Sequence, residues 1–297
     1  MKPESADWRV VVQAGNLLGE SPVWDDQDAA LWWIDIHGRT LHRWSLDRGH
    51  GAWPLAEQCG CIALCEGGGL VAATRTGFLQ FDPLTGEREP LQQPLAGAAN
   101  VRFNDGRCDR QGRFWSGTVQ ELREVGRASL YRLDGDGSCV RMLDGVTVSN
   151  GIAFSPDSRT MYFADSHVRE MYAIEFDAAT GELGERRLFH RFPADGGMPD
   201  GATVDAQGGV WIAAIHGGRV LRFSPQGELD RAYAIPVSQP TSCQFGGEDL
   251  RTLFVTSARM RLDDTALRRE PLAGSVFAME PGVAGLVEPR FRQEASS

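Results

Sequence analysis

The sequence predicts an all-β fold, a six-bladed β-propeller with blades of four antiparallel strands, and three observations carry that expectation. Six stretches can be laid over one another, with anchors near positions 33, 71, 115, 163, 211 and 254, separated by 38 to 48 residues. A period of that size with several strands per unit marks propeller blades. Nearly every apolar run is 4 to 7 residues long and ends at Gly, Asp or Pro, which suits strands and not the long amphipathic helices of a solenoid. Finally, the same entry position in several repeats holds a carboxylate or a carboxamide.

The first repeat runs Ser21-Pro22-Val23-Trp24, a polar turn at Asp25-Asp26-Gln27-Asp28, then Leu31-Trp32-Trp33-Ile34-Asp35 and Thr40-Leu41-His42-Arg43-Trp44. The second, around Leu64 to Phe81, is the most degenerate. Repeats three and five use tighter turns, Asp109-Arg110-Gln111-Gly112 and Asp205-Ala206-Gln207-Gly208, followed by short strands with Trp115 and Trp211. Repeat four has the plan of repeat one, from Gly151-Ile152-Ala153-Phe154 through Phe163. Repeat six carries Cys243-Gln244-Phe245 and Leu253-Phe254-Val255. The segment Arg259 to Glu270 is charged, with helical character, and reads as a surface connection within blade six. Trp8-Arg9-Val10-Val11-Val12 belongs to no complete repeat and is expected to pair with Ser275-Val276-Phe277-Ala278-Met279, closing the ring and removing exposed sheet edges. A single propeller domain over 1–297 is expected, with the last ~10 residues a loose tail.

Composition narrows the function. The chain has 297 residues, 42% of them hydrophobic, with 35 Gly and 15 Pro clustered between short apolar runs. Its formal charge is −10, and no run of Lys and Arg stands out, so a nucleic-acid partner is not expected. No stretch approaches the ~20 apolar residues of a membrane helix, and the first residues lack a signal-peptide core, so a cytoplasmic protein is expected. A monomer is the default. Cysteines 59, 61, 65, 108, 139 and 243 complete no tetrahedral zinc spacing and read as small buried hydrophobes.

The recurring entry position holds Glu20, Asn104, Asn150 and Asp200, each 11 to 13 residues ahead of Trp33, Trp115, Phe163 and Trp211. Gly60 and Thr241-Ser242 take the corresponding places in repeats two and six. Innermost strands line the channel of a propeller, so these oxygen-bearing side chains meet at its axis. Asn and Asp before Gly are also ordinary turn formers. Their recurrence, with Glu20 where turn chemistry does not ask for Glu, favours a site. Oxygen ligands without sulfur suit Ca²⁺, Mg²⁺ or Mn²⁺, and Zn²⁺ also accepts them. Arg102 and Asn104, two apart on one strand, point the same way and suit the hydroxyls and carbonyl of a polyol. Strand alternation aims Asp105 away from the channel, where it would serve backbone amides or support the site residues from behind. His216 lies near the channel, either as a structural residue or in contact with substrate. Gly-x-Ser-x-Gly is missing, which argues against a covalent serine mechanism.

Several segments together resemble the senescence-marker-protein, gluconolactonase and regucalcin family of propeller lactonases. They include Gly19-Glu20-Ser21-Pro22, Arg102-Phe103-Asn104-Asp105-Gly106, Ser149-Asn150-Gly151, Pro199-Asp200-Gly201 and Thr241-Ser242-Cys243-Gln244-Phe245-Gly246-Gly247. The resemblance implies one divalent ion (Ca, Zn, Mg or Mn) held by Glu20, Asn150 and Asp200, and substrate contacts from Arg102 and Asn104. A further acidic contact falls on Glu121, where the match is looser. It also implies hydrolysis of a sugar lactone to the aldonic acid, with the ion polarising the carbonyl and Asp200 doubling as general base. Three rivals stand beside this reading: a calcium-binding regulatory propeller of regucalcin type, a related propeller esterase acting on another ester, and a metal-free interaction propeller.

Overall fold

Turn chemistry and short apolar runs set the strands of this chain. A computed structural model describes residue 4 and residues 6–83 and 85–294. It contains six four-stranded antiparallel sheets arranged as the blades of a propeller. The inner strands are Gly19–Asp25, Cys59–Leu64, Val101–Cys108, Ser149–Phe154, Met198–Val204 and Pro240–Gly246. Blades one to five each take four consecutive strands. In blade six the outermost strand is Arg9–Val12, from the start of the chain, hydrogen-bonded to Val276–Met279. Arg9 lies opposite Ala278 and Val10 opposite Phe277, which is the expected closure.

The core is divided among the blade interfaces. Six clusters of buried apolar residues each lie chiefly between neighbouring blades. The aromatic anchors sit on second strands: Trp33, Trp115 and Trp211 are 0% exposed and Phe163 is 1% exposed. Burying each ring contributes roughly 2–3 kcal/mol, provided its polar edge finds a partner. At two anchors the tight turn supplies that partner. Asp109 accepts from Trp115 Nε1 at 2.9 Å, and Asp205 from Trp211 Nε1 at 2.8 Å. The other oxygen of each Asp accepts amides two and four residues on, so one carboxylate both shapes the turn and fixes the indole.

Register slips in all six inner strands, at the recurring entry position. The breaks lie between Glu20 and Val23, Cys59 and Cys61, Phe103 and Gly106, Asn150 and Ala153, Pro199 and Ala202, and Pro240 and Cys243. A bulge bends a strand and re-aims the side chains beside it. Here the same bulge, repeated around the ring, sets the side chains at the axis.

Two expectations need adjustment. Residues 288–294, expected as part of a loose tail, are bound: Phe291 N donates to Leu64 O, Arg292 N to Gly112 O and Glu294 N to Gly135 O. Glu288 pairs with Arg107 at 2.6 Å. The tail thus pins blades two and three, and 295–297 lie outside the described residues. The segment Arg259 to Glu270 contains a helix, Asp264–Arg269, with Asp263 as N-cap accepting from Ala266 N. It is more than a surface connection, because Met260 and Arg261, ahead of the helix, line the axial cavity described below.

Arg107 closes the far end of the channel. Its guanidinium donates to Ile152 O in blade four, Ala202 O in blade five, Gln244 Oε1 in blade six and Glu288 Oε2 in the tail.

Candidate active site

Glu20, Asn150 and Asp200 line one cavity of about 350 Å³ at the open end of the axis, together with Arg102, Asn104 and Glu121. The structure therefore brings together every residue singled out for the site. Glu20, Asn150 and Asp200 are 7%, 5% and 5% exposed.

Each is positioned by its own blade or by the blade beside it. In blade one, Asp35 at the end of the second strand accepts the amides of Leu17, Leu18 and Gly38, which fixes the chain just ahead of Glu20. Thr241 Oγ1 donates to Gly19 O across the join between blades six and one. In blade four, Asp165 does for Asn150 what Asp35 does for Glu20, accepting from Thr147 N at 2.9 Å and Val148 N at 3.1 Å. Between blades four and five, Ser166 Oγ donates to Pro199 O at 2.6 Å, tying down the residue before Asp200.

A continuous hydrogen-bonded chain crosses three blades. Arg102 Nη1 donates to Asn104 Oδ1 at 2.9 Å, and Asn104 Nδ2 donates to Asn150 Oδ1 at 2.8 Å. Asn150 Nδ2 donates to Ser166 Oγ at 2.8 Å, and Ser166 donates onward to Pro199 O. The chain fixes the orientation of Asn150: its amide nitrogen is committed to Ser166, and its oxygen keeps a second lone pair. Asn104 thus contacts Asn150 as well as Arg102.

No cationic side chain pairs with either carboxylate, Glu20 or Asp200, among the described residues, and the Asp200 side chain has no hydrogen-bond partner there. Glu20 accepts one bond, from Ser21 N at 3.2 Å. Burial, then the charge of Asp105, pushes the Glu20 carboxyl from 4.5 up to about 8. Burial, then the charge of Glu20, holds Asp200 well above the usual carboxylate range. Two buried carboxylates disfavour each other's charge until a cation arrives. The group fits a hard divalent ion: two carboxylates and one carboxamide oxygen, all oxygen donors, with the amide already oriented. Among the described residues no cluster of three or more His, Cys, Asp and Glu that could hold a metal comes together. The six cysteines are unpaired, and all but Cys139 are buried.

Three expected details come out differently in emphasis. Asp105 serves a backbone amide, accepting from Ile152 N at 3.0 Å, yet its charge is felt at both Glu20 and Asp200, because the bulge after Phe103 breaks the alternation that would have turned it away. Glu121 lines the cavity with both oxygens engaged by Arg75, at 3.2 and 2.8 Å. Arg102 is 6% exposed, and burial lowers it to about 10. Its Nε is buried with no hydrogen-bond partner and lies 3.9 Å from Glu121 Oε1. His216 lines the mouth.

Other lining residues had drawn no notice in the sequence. His37, Arg123, His167 and Arg261 come from the turns between second and third strands, at the same end of the blades as the entry position. Their place in the repeat, just past each second strand, was the signal available. Gly60, in the entry position of blade two, contributes no donor. A Cβ there would lie 2.4 Å from Phe103 O and 2.7 Å from Asn104 N, so its bare backbone lets the Asn104 strand close in.

Residues 18–259 match the model of the SMP-30/gluconolactonase/LRE-like region. The chain is 41% identical to 6-deoxy-6-sulfogluconolactonase of Pseudomonas putida, over 95% of this chain and 98% of that protein. It is 39% identical to L-arabinolactonase of Azospirillum brasilense, over 93% and 92%. The crystal structure of a calcium-binding protein, regucalcin, from Agrobacterium tumefaciens superposes with a TM-score of 0.94 at 31% identity, covering 98% of this chain and 99% of that one. No helix among the described residues is long and apolar enough to cross a membrane.

Proposed function

The chain belongs to the SMP-30/gluconolactonase/LRE-like family, and we propose that it is a lactonase that opens a sugar lactone to the aldonic acid, with Glu20, Asn150 and Asp200 holding one divalent ion. The observation that carries this reading is a pair of buried carboxylates, neither in an ion pair among the described residues, that line one cavity with the carboxamide of Asn150. The lactonase names of the relatives from Pseudomonas putida and Azospirillum brasilense support the substrate class.

A bound divalent ion would supply Lewis acidity toward the lactone carbonyl. The side chains do the rest. Arg102, with an unpartnered Nε, and Asn104 beside it orient the ring through its hydroxyls and carbonyl. Asp200, with no side-chain hydrogen-bond partner among the described residues, takes a proton from the water that adds to the carbonyl carbon. As the ring C–O bond breaks, that proton passes to the departing ring oxygen, so Asp200 ends as it began. Glu121, clamped by Arg75, keeps a fixed negative charge near Arg102 and stops that side chain from swinging. A cysteine nucleophile is disfavoured, since burial pushes up the thiols of Cys59, Cys61 and Cys243.

The test is acid release in a pH-stat from glucono-, galactono-, xylono- and arabinono-lactones, using protein stripped by chelation and then given Ca²⁺, Mg²⁺, Mn²⁺ or Zn²⁺ singly. Turnover of at least one lactone should vanish on stripping and return with an ion. Absence of metal-dependent turnover for all of them contradicts the reading. The calcium-binding description of the regucalcin structure favours a second reading, a calcium-handling propeller, which predicts tight Ca²⁺ binding with no lactone turnover.

A further inference from the structure

The cavity has an acidic floor and a basic mouth. Arg123 rises from the connection after Phe114–Gln120 in blade three, and Arg261 from the connection after Thr252–Ser257 in blade six. Both line the cavity that holds Glu20, Asn150 and Asp200. Blades three and six stand opposite each other in a ring of six, yet the two guanidinium groups reach each other's field. The Arg123 guanidinium is lowered by burial first and by the charge of Arg261 second, against a pull from Asp200 and Asp165 in blades five and four. The charge of Arg261 in turn reaches His37 in blade one and His216 in blade five. Two cationic side chains from opposite sides therefore lean over one mouth.

Other arginines around this rim have partners. Arg75 is held by Glu121, Arg102 by Asn104 and Phe103 O, and Arg169 by Gly197 O. Arg123 and Arg261 have neither a side-chain hydrogen bond nor an ion pair among the described residues. Both also hold left-handed backbone angles, φ 60° and 62°, a region L-residues adopt at a cost and that clusters at functional sites. Like charges brought together without a counterion repel, and an anion between them removes the repulsion. The charge count agrees. Three carboxylates (Glu20, Glu121, Asp200) and three guanidiniums (Arg102, Arg123, Arg261) line the cavity, so a bound divalent ion leaves two positive charges in excess.

Building on the lactonase reading above, we propose that the lactone taken by this site carries an anionic group, a phosphate, sulfonate or carboxylate, at the end remote from its carbonyl, and that Arg123 and Arg261 receive that group. The carboxylates of the floor repel an anion. The buried Arg102 and the half-buried Asn104 engage the ring, and the more exposed arginines of the mouth take the charged end. The anionic group passes through hydrolysis unchanged, so its role is recognition.

Steady-state hydrolysis of glucono-1,5-lactone is compared with that of its 6-phosphate, its 6-sulfonate and a lactone bearing a 6-carboxylate, on metal-loaded protein. At low salt at least one anionic lactone should show a kcat/KM roughly 10- to 100-fold above the neutral one, carried by KM. The ratio should shrink in 0.5 M salt, at roughly the ionic strength where screening reaches a few ångströms. In the double variant Arg123→Gln/Arg261→Gln the ratio should fall to near one. The identity of the best anion distinguishes the three sources. A preference for the neutral lactone, or a ratio unchanged in the double variant, overturns the proposal while leaving the lactonase reading in place. No turnover of any lactone overturns both.

Discussion

Replacing Glu20 by Gln should stabilise the metal-free protein and destabilise the metal-loaded one. Glu20 is 7% exposed, and burial followed by the charge of Asp105 raises its carboxyl from 4.5 to about 8. The sign follows from the raised value. The group contributes its full stability below pH 4.5, and that stability is lost as pH rises through about 8. At pH 7, at about 1.4 kcal/mol per pH unit, the penalty in the chelated fold is about 3 kcal/mol. Gln keeps the size and can accept the Ser21 amide, so Glu20→Gln should recover up to about 3 kcal/mol. For a chain of this length that raises the melting temperature by about 5–10 °C. A saturating divalent ion at a hundredfold over its Kd stabilises wild type by about 2.7 kcal/mol, a gain the variant loses along with the ligand. The assay is thermal and urea unfolding at pH 7 and again near pH 5, with chelator and with ion. The advantage of the chelated variant should shrink at the lower pH. A chelated Glu20→Gln that melts below chelated wild type at pH 7 refutes the argument that the chelated fold disfavours the ionised Glu20 carboxylate.

Other predictions concern the scaffold. Arg107→Met strips donors from Ile152 O, Ala202 O, Gln244 and Glu288, and removing one partner of a buried pair should cost about 3–5 kcal/mol in urea unfolding; a loss under ~1 kcal/mol removes Arg107 as the bolt of the channel. His42, stacked on Trp33 and 3.0 Å from His50, is lowered to about 4, by burial first and then His50. Its neutral form is the one the fold accepts, so stability should be complete above pH ~6.5 and fall as pH drops toward 4, and His42→Phe should flatten that part of the stability profile. Gly60→Ala places a Cβ 2.4 Å from Phe103 O, so it should cost about 1–3 kcal/mol and lower kcat by displacing Asn104; full activity and stability there contradict the role given to the bare backbone.

Periodicity made the ring legible before any coordinates, because a blade that cannot bury its faces alone must repeat its apolar pattern. The unpaired segment from Trp8 to Val12 left one partner to find, and Val276–Met279 is that partner. The entry position was legible for the same reason: one slot, one axis. Arg102 and Asn104 do touch, as two-residue spacing on a strand implies. Asp105 shows where alternation fails, since a bulge is one inserted residue with no composition of its own. Arg123 and Arg261 were harder to read because their turns, between Gln120 and Ala128 and between Ser257 and Val276, differ in length from the others, so their place in the repeat did not fix their direction. Residues 288–294 looked loose because their grip on blades two and three runs through backbone bonds that any sequence can make.

The most direct measurement of the central claim is metal content set against activity. Chelated protein is titrated with the ion that restores turnover, bound ion is counted by equilibrium dialysis, and lactone hydrolysis is recorded on the same samples for wild type and Asp200→Ala. The predicted result is activity rising in proportion to bound ion up to one per chain, with both lost in a still-folded Asp200→Ala. Full hydrolysis by protein carrying no ion, or an Asp200→Ala variant that keeps both ion and activity, would contradict it.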